Sequence, residues 1–213
     1  MIERRRLLLG MGSLAATAAL GASIRPAAAY FDQDQQRFIP GRFEGDGAAP
    51  KPGAKADPLK EAALAANLPV YQPASYKDPK VWDEFKALKP DLQVMAFVTL
   101  FVPEEFLNIP THGSIQYHPS LLPVGRGASA INWPIIKGEK ETGLSIFWPD
   151  NGLDTGDVLV QKKTPISNTD TLGTVYFDRL FPMGVEAMME SVALVKAGKA
   201  PRLKQDESKA TYE

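Results

Sequence analysis

SIQYHPSLLPVGRGASAINWPIIKGEKETGLSIFWPDNGLDTGD, from Ser114 to Asp157, is the stretch that decides the fold and points to a site. It opens on a short apolar run, Ser114 to Tyr117, which delivers His118 to a Pro-Ser-Leu-Leu-Pro turn. A second apolar run, Leu144 to Trp148, leads into a Gly-bracketed loop that holds Asp154. Both runs suit strands, and the pattern from Ala128 to Lys137 suits a helix between them. The histidine and the aspartate are 154 − 118 = 36 residues apart, the first closing a strand predicted over Ser114 to His118 and the second in the loop after one predicted over Leu144 to Trp148. Ligands of open α/β sheets bind beyond the carboxyl ends of the strands, so the two side chains can face one cleft.

The flanking sequence continues the alternation. Asp57-Pro58 and Asp78-Pro79 each pair an N-cap aspartate with proline at the first helical position, predicting helices that end at Asn67 and near Leu88. Leu92 to Leu100, LQVMAFVTL, is a nearly continuous apolar run, as in a strand covered on both faces. Val158 to Lys162 alternates like an edge strand, and Thr171 to Lys196 predicts a long helical region interrupted around Pro182, with Gly198 as its terminator. The expected class is α/β, with a mostly parallel, twisted sheet flanked by helices.

Composition narrows the chemistry. The chain has 213 residues, a formal net charge of −1 and no cysteine. The charge gives no footprint for DNA, for tRNA or for an anionic membrane surface. Without cysteine there is no disulfide, no thiolate nucleophile and no cysteine-ligated metal. The two histidines, His112 and His118, lack helical i, i+4 spacing and have no acidic residue between them, so no metal site is expected.

The first 56 residues read differently. Residues 1–29 place three arginines before an uncharged apolar run, Leu7 to Ile24, and end in Ala27-Ala28-Ala29. Arg4-Arg5-Arg6-Leu7-Leu8 resembles a twin-arginine export signal, to be removed rather than kept as a membrane anchor. A second possibility is a short strand over Arg6 to Leu9, a Gly10-Met11-Gly12 turn and a helix from Ser13 to Leu20. Residues 30–56, rich in Gly, Pro and charge, read as a linker or remnant. Residues 57–205 then form the catalytic domain, and residues 206–213 a C-terminal tail.

The phrases YHPSLLP, RGASAINW, SIFW, GLDTGD, GKAPRL and ATYE resemble the formyltransferase family, which uses 10-formyltetrahydrofolate. Within that family they are similar to the hydrolase domain of 10-formyltetrahydrofolate dehydrogenase, and methionyl-tRNA formyltransferase is a relative. The resemblance implies a Rossmann-like fold, of which the usual first strand-helix unit is missing here. It implies a formyltransferase or hydrolase of one-carbon metabolism, with tetrahydrofolate carrying the formyl group and an amine or water accepting it. It requires no metal. The family is cytoplasmic as a rule, whereas an export signal in use would place this chain in the periplasm.

The resemblance assigns roles. His118 would move protons near neutral pH, and Asp154 would orient its imidazole and position the attacking water or amine. Gln116 lies two residues before His118, on the same strand face. It stands where the transferases usually carry an asparagine whose amide polarises the formyl oxygen. Leu100, Phe101 and Val102 would hold the pterin ring, and Ser120, Leu121, Leu122 and Pro123 would wall the folate. Arg126-Gly127 reads as a loop-fixing landmark, and Trp133 and Trp148 as core aromatics. The opposing alternative is a truncated relative that binds folate without turnover.

Overall fold

The structure is a computed structural model. It describes the strand residues 7–9, 30–32 and 37–39, then residues 63–71, 73, 75–96 and 102–213. The chain divides into two compact units, residues 1–114 and 115–213.

In the first unit, β1 (Leu7–Leu9) pairs in parallel with β4 (Leu92–Met95), Leu7 opposite Leu92 and Leu9 opposite Val94. A strand therefore stands where the second possibility for the N-terminus put one. The turn and helix proposed after it, and the Ala27-Ala28-Ala29 cleavage site, lie outside the described residues. β2 (Tyr30–Asp32) and β3 (Arg37–Ile39) form a separate antiparallel ribbon within the segment expected to be a linker. Helix α1 (Pro79–Ala87) starts as its sequence predicts: the Asp78 carboxylate accepts from Lys80 N–H at 2.9 Å, and Pro79 fills the first turn. Helix α2 (Glu104–Leu107) is a single turn. The unit's core joins Tyr76, Phe85, Met95, Val102, Phe106 and Leu107. Phe106 stacks on Phe85 at a centroid distance of 4.5 Å and meets Tyr76 edge-on at 5.1 Å.

The second unit is built on β5 (Ser114–His118), β6 (Glu141–Phe147) and β7 (Val158–Pro165). β5 has the predicted limits, whereas β6 starts three residues earlier and β7 runs three residues further than predicted. Both pairings, β5 with β6 and β6 with β7, are antiparallel. The α/β class holds, and its pairing is mixed. A parallel return needs a crossover long enough to carry the chain back along the strand. The β6–β7 connection is too short for that and holds no helix, whereas the longer β5–β6 connection holds the five-residue α3 (Asn132–Ile136).

Along the C-terminal helical region, α4 (Leu172–Val175) opens with a capping box between Thr171 and Thr174. One π-helical stretch, Tyr176–Leu180, leads into α5 (Phe181–Lys196). Pro182, which has no N–H to give the preceding turn, comes just after the π-helical stretch, so the expected interruption falls just before it. α5 packs on β6 and β7 and buries Val185, Met188, Val192 and Val195. At Gly184 a Cβ would come within 2.7 Å of the Tyr117 ring, so glycine is what permits this approach of helix to strand. Tyr117 thus points toward the helix, and by strand alternation Gln116 and His118 point to the opposite face.

Replacing Phe106 by alanine removes a fully buried ring and two aromatic contacts. The expected loss is about 3–5 kcal/mol, read as a lower urea midpoint with an unchanged slope. A shift below about 0.5 kcal/mol would contradict this core assignment.

Candidate active site

β5 ends at His118, and its antiparallel pairing sets Gln116 opposite Phe147 and His118 opposite Ser145. Such cross-strand partners share a face. Phe147 meets the imidazole edge-on, with centroids 6.5 Å apart. Beyond His118 the chain makes a tight loop with a cis Leu122-Pro123 peptide. Buried Ser145 pins this loop: its hydroxyl donates to Ser120 O at 2.7 Å and accepts from Leu122 N–H at 3.1 Å. Gln161 of β7 adds a bond from its amide to Leu122 O at 2.7 Å.

β6 ends at Phe147 with a register irregularity between Ile146 and Phe147, a bulge of the kind that re-aims a strand end. The following loop is closed by Trp148 N–H donating to Asp157 O at 2.9 Å. Asp154 occupies the left-handed region, φ 55°, which raises the backbone energy of a residue bearing a Cβ. That conformation brings its carboxylate to His118: Oδ2 lies 3.5 Å from Nδ1, and both side chains are over 90% buried. The other ring nitrogen, Nε2, lies 2.7 Å from Gly125 O. A neutral imidazole can donate to one of these acceptors, while the imidazolium can serve both.

Asp154 Oδ2 also accepts from Gly127 N–H at 2.9 Å. Among the described residues the contacts of the carboxylate run through Oδ2, which leaves Oδ1 uncommitted. Gln116 is half-buried on the same strand face as His118, and no hydrogen bond of its amide is recorded among the described residues.

Arg126 lies between the two glycines that touch the pair. It is fully buried, and its guanidinium is shared among tail residues. Nη1 donates to Glu207 Oε2 at 2.9 Å and to the Tyr212 hydroxyl at 2.8 Å; Nη2 donates to Glu207 Oε1 at 2.6 Å and to Gln205 Oε1 at 2.8 Å. The tail also pairs with this loop through its backbone. Arg126 N–H donates to Thr211 O at 2.9 Å, and Glu213 N–H donates to Arg126 O at 2.8 Å. Gly127 has φ 105°, and a Cβ there would fall 2.6 Å from Glu213 O, so both conformation and space require glycine.

Of the sequence-predicted residues, the second unit brings together His118 and Asp154, with Gln116 on the same strand face. Ser120, Leu122 and Pro123 form the pinned loop beside them, and Leu121 covers the backbone at Gly143. Val102 belongs to the core of the first unit, while Leu100 and Phe101 lie outside the described residues. Trp148 is buried as expected, its indole donating to Pro201 O at 2.9 Å; Trp133 is instead exposed. Sequence reasoning missed Ser145, Gln161 and the tail residues Gln205, Glu207 and Tyr212. The ATYE phrase and an arginine flanked by glycines were the available signals for the tail.

The formyl transferase family model matches residues 44–192. The chain belongs to the formyl transferase family. It is 48% identical over 169 residues to cytosolic 10-formyltetrahydrofolate dehydrogenase of Pongo abelii, covering 77% of this chain and 19% of that protein. It is 42% identical over 157 residues to methionyl-tRNA formyltransferase of Syntrophus aciditrophicus (strain SB), covering 74% of this chain and 50% of the relative. The chain thus spans a fifth to a half of these curated relatives. Among solved structures it is similar to the N-formyltransferase from Helicobacter canadensis in complex with folinic acid and dTDP-3-aminofucose. That match has a TM-score of 0.68 at 19% identity and covers 97% of this chain and 69% of the other. The phosphoribosylglycinamide formyltransferase from Anaplasma phagocytophilum gives 0.67 at 20% identity, covering 91% and 86%. These structural likenesses establish the shared fold; the family membership is consistent with formyltransferase or hydrolase activity. Among the described residues no helix is long and apolar enough to cross a membrane.

The Arg126 contact predicts a pH dependence. Hydrogen bonding to Arg126 holds the Glu207 carboxyl below its ordinary pKa. The contribution of the pair is then full above the ordinary carboxylate range, about 4.3, and is lost as pH falls through the lowered folded value. Thermal midpoints of wild type and Glu207→Gln should therefore differ at neutral pH and converge on acidification. A difference that stays constant with pH would refute the pairing.

Proposed function

We propose that this protein takes the formyl group from 10-formyltetrahydrofolate and passes it to an amine or to water, using His118 and Asp154. The observation that carries this is the buried pair itself, with one ring nitrogen facing the carboxylate and one carboxylate oxygen uncommitted.

The chemistry follows from what the transfer requires. The acceptor attacks the formyl carbon, a tetrahedral centre with an oxyanion forms, and the bond to N10 of the folate breaks. The acceptor loses one proton and N10 gains one. His118 is suited to relay that proton, since its ring accepts at one stage and donates at the next. Asp154 orients the ring through Oδ2 and can hold the acceptor's proton on Oδ1. The 3.5 Å separation is longer than a strong hydrogen bond, and bound substrate can shorten it. The Gln116 amide can donate to the formyl oxygen as it becomes an oxyanion. It reaches one methylene further than the asparagine that the transferases usually carry there.

The likeness to 10-formyltetrahydrofolate dehydrogenase supports a folate donor, as does the structural neighbour from Helicobacter canadensis in complex with folinic acid. It leaves the acceptor open. Formate in the product would assign water, and a formylated amine would assign transfer.

His118→Ala should lower tetrahydrofolate release from 10-formyltetrahydrofolate by about 10²–10⁴-fold, and Asp154→Asn by a comparable amount. Both variants should keep the wild-type far-UV circular dichroism. Equal turnover in His118→Ala and wild type would remove His118 from the mechanism. Binding without turnover in well-folded wild type would favour a non-catalytic folate-binding relative.

A further inference from the structure

The tail from Gln205 to Glu213 lies beyond the segment that the family model matches, which ends at residue 192. It is nevertheless bonded to both loops of the site. Gln205 is the residue where the two sets of bonds meet. Its side-chain amide nitrogen donates to Asp154 O at 2.8 Å and to Gly156 O at 2.7 Å. Its amide oxygen accepts from Arg126 Nε at 3.2 Å and from Nη2 at 2.8 Å. The forked guanidinium fixes which way the amide points, since only the oxygen can accept from Nε and Nη2. The nitrogen is thereby directed at the Asp154 loop.

We propose that Gln205 is a positioning residue for the formyl-transfer site, holding Asp154 in its left-handed conformation and at its distance from His118. The proposal rests on the assignment of His118 and Asp154 to that chemistry.

Left-handed backbone at a residue with a side chain persists only where surrounding contacts over-determine it. At Asp154, φ 55°, three bonds do so: Gly127 N–H on the carboxylate, and the Gln205 amide on the carbonyls at 154 and 156. The same Arg126 that orients Gln205 stands between Gly125, whose carbonyl meets His118 Nε2, and Gly127, whose N–H meets Asp154 Oδ2. One tripeptide and one glutamine therefore set both members of the pair relative to each other. Displacement of a catalytic group by about 1 Å can lower a rate by ~10²-fold. Loss of the Gln205 bonds should accordingly appear in turnover more than in substrate affinity. Gln205 touches neither ring nor carboxylate of the pair, so it acts on them through the backbone of the Asp154 loop and through Arg126.

The test compares full-length wild type, Gln205→Glu, Gln205→Met and His118→Ala. Gln205→Glu keeps an oxygen for Arg126 and places a second oxygen against the two loop carbonyls, so it removes the positioning bonds while sparing the arginine. Gln205→Met removes both interactions at similar volume and serves if the glutamate variant fails to fold. The expected result is a fall in kcat of about tenfold or more, with KM for 10-formyltetrahydrofolate within about threefold of wild type. A kcat within twofold of wild type in a folded Gln205 variant, while His118→Ala is inactive, overturns the positioning role alone. Activity in His118→Ala equal to wild type overturns the assignment of the site, and the positioning role with it.

Discussion

The buried guanidinium of Arg126 is the constraint on which the site depends. A charged group with no exposed surface must have its donors satisfied, or the desolvation cost is not offset. Gln205, Glu207 and Tyr212 provide the acceptors, and Glu207 lies close enough to make the contact an ion pair. That demand draws the tail onto the loop after β5. Once the tail is there, its backbone bonds to Arg126 leave Gly125 and Gly127 in positions where they meet the histidine and the aspartate. The arginine's charge is met by the Glu207 carboxylate of the tail.

A second layer of positioning comes from the strands. β6 lies between β5 and β7, and its residues Thr142 to Phe147 are buried without interruption. The hydroxyl of Ser145 serves as a hub beneath the loop that follows His118, and Gln161 reinforces it from β7. A rigid strand therefore presents the histidine, while a loop held by the Gln205 amide and the Gly127 N–H presents the aspartate. Preorganisation of this kind matters in acyl-type transfer, because a group aligned before the reaction costs nothing to align during it.

Much of this was legible in the residues. The apolar run up to Tyr117, with His118 closing it, specified β5, and the Gly-bracketed aspartate marked the second loop. The Asp-Pro start at Asp78 specified its helix. Strand direction was less legible: hydrophobic continuity shows burial but carries no information on whether a neighbour runs parallel or antiparallel. The β6 start at Glu141 was hidden because Glu141, Thr142 and Gly143 are not an apolar run, although Thr142 and Gly143 are buried. The tail was hidden for a different reason. Gln205 and Glu207 look like surface residues by composition, and only the burial of an arginine some eighty positions earlier reveals their function.

The most direct measurement follows the formyl carbon itself. Purified protein is mixed with 10-formyltetrahydrofolate labelled with carbon-13 in the formyl group, and the label is followed by NMR with and without candidate amines. The account predicts that the signal leaves the folate and appears as formate or as a formamide. A label that stays on N10, with protein shown to be folded throughout, would contradict it.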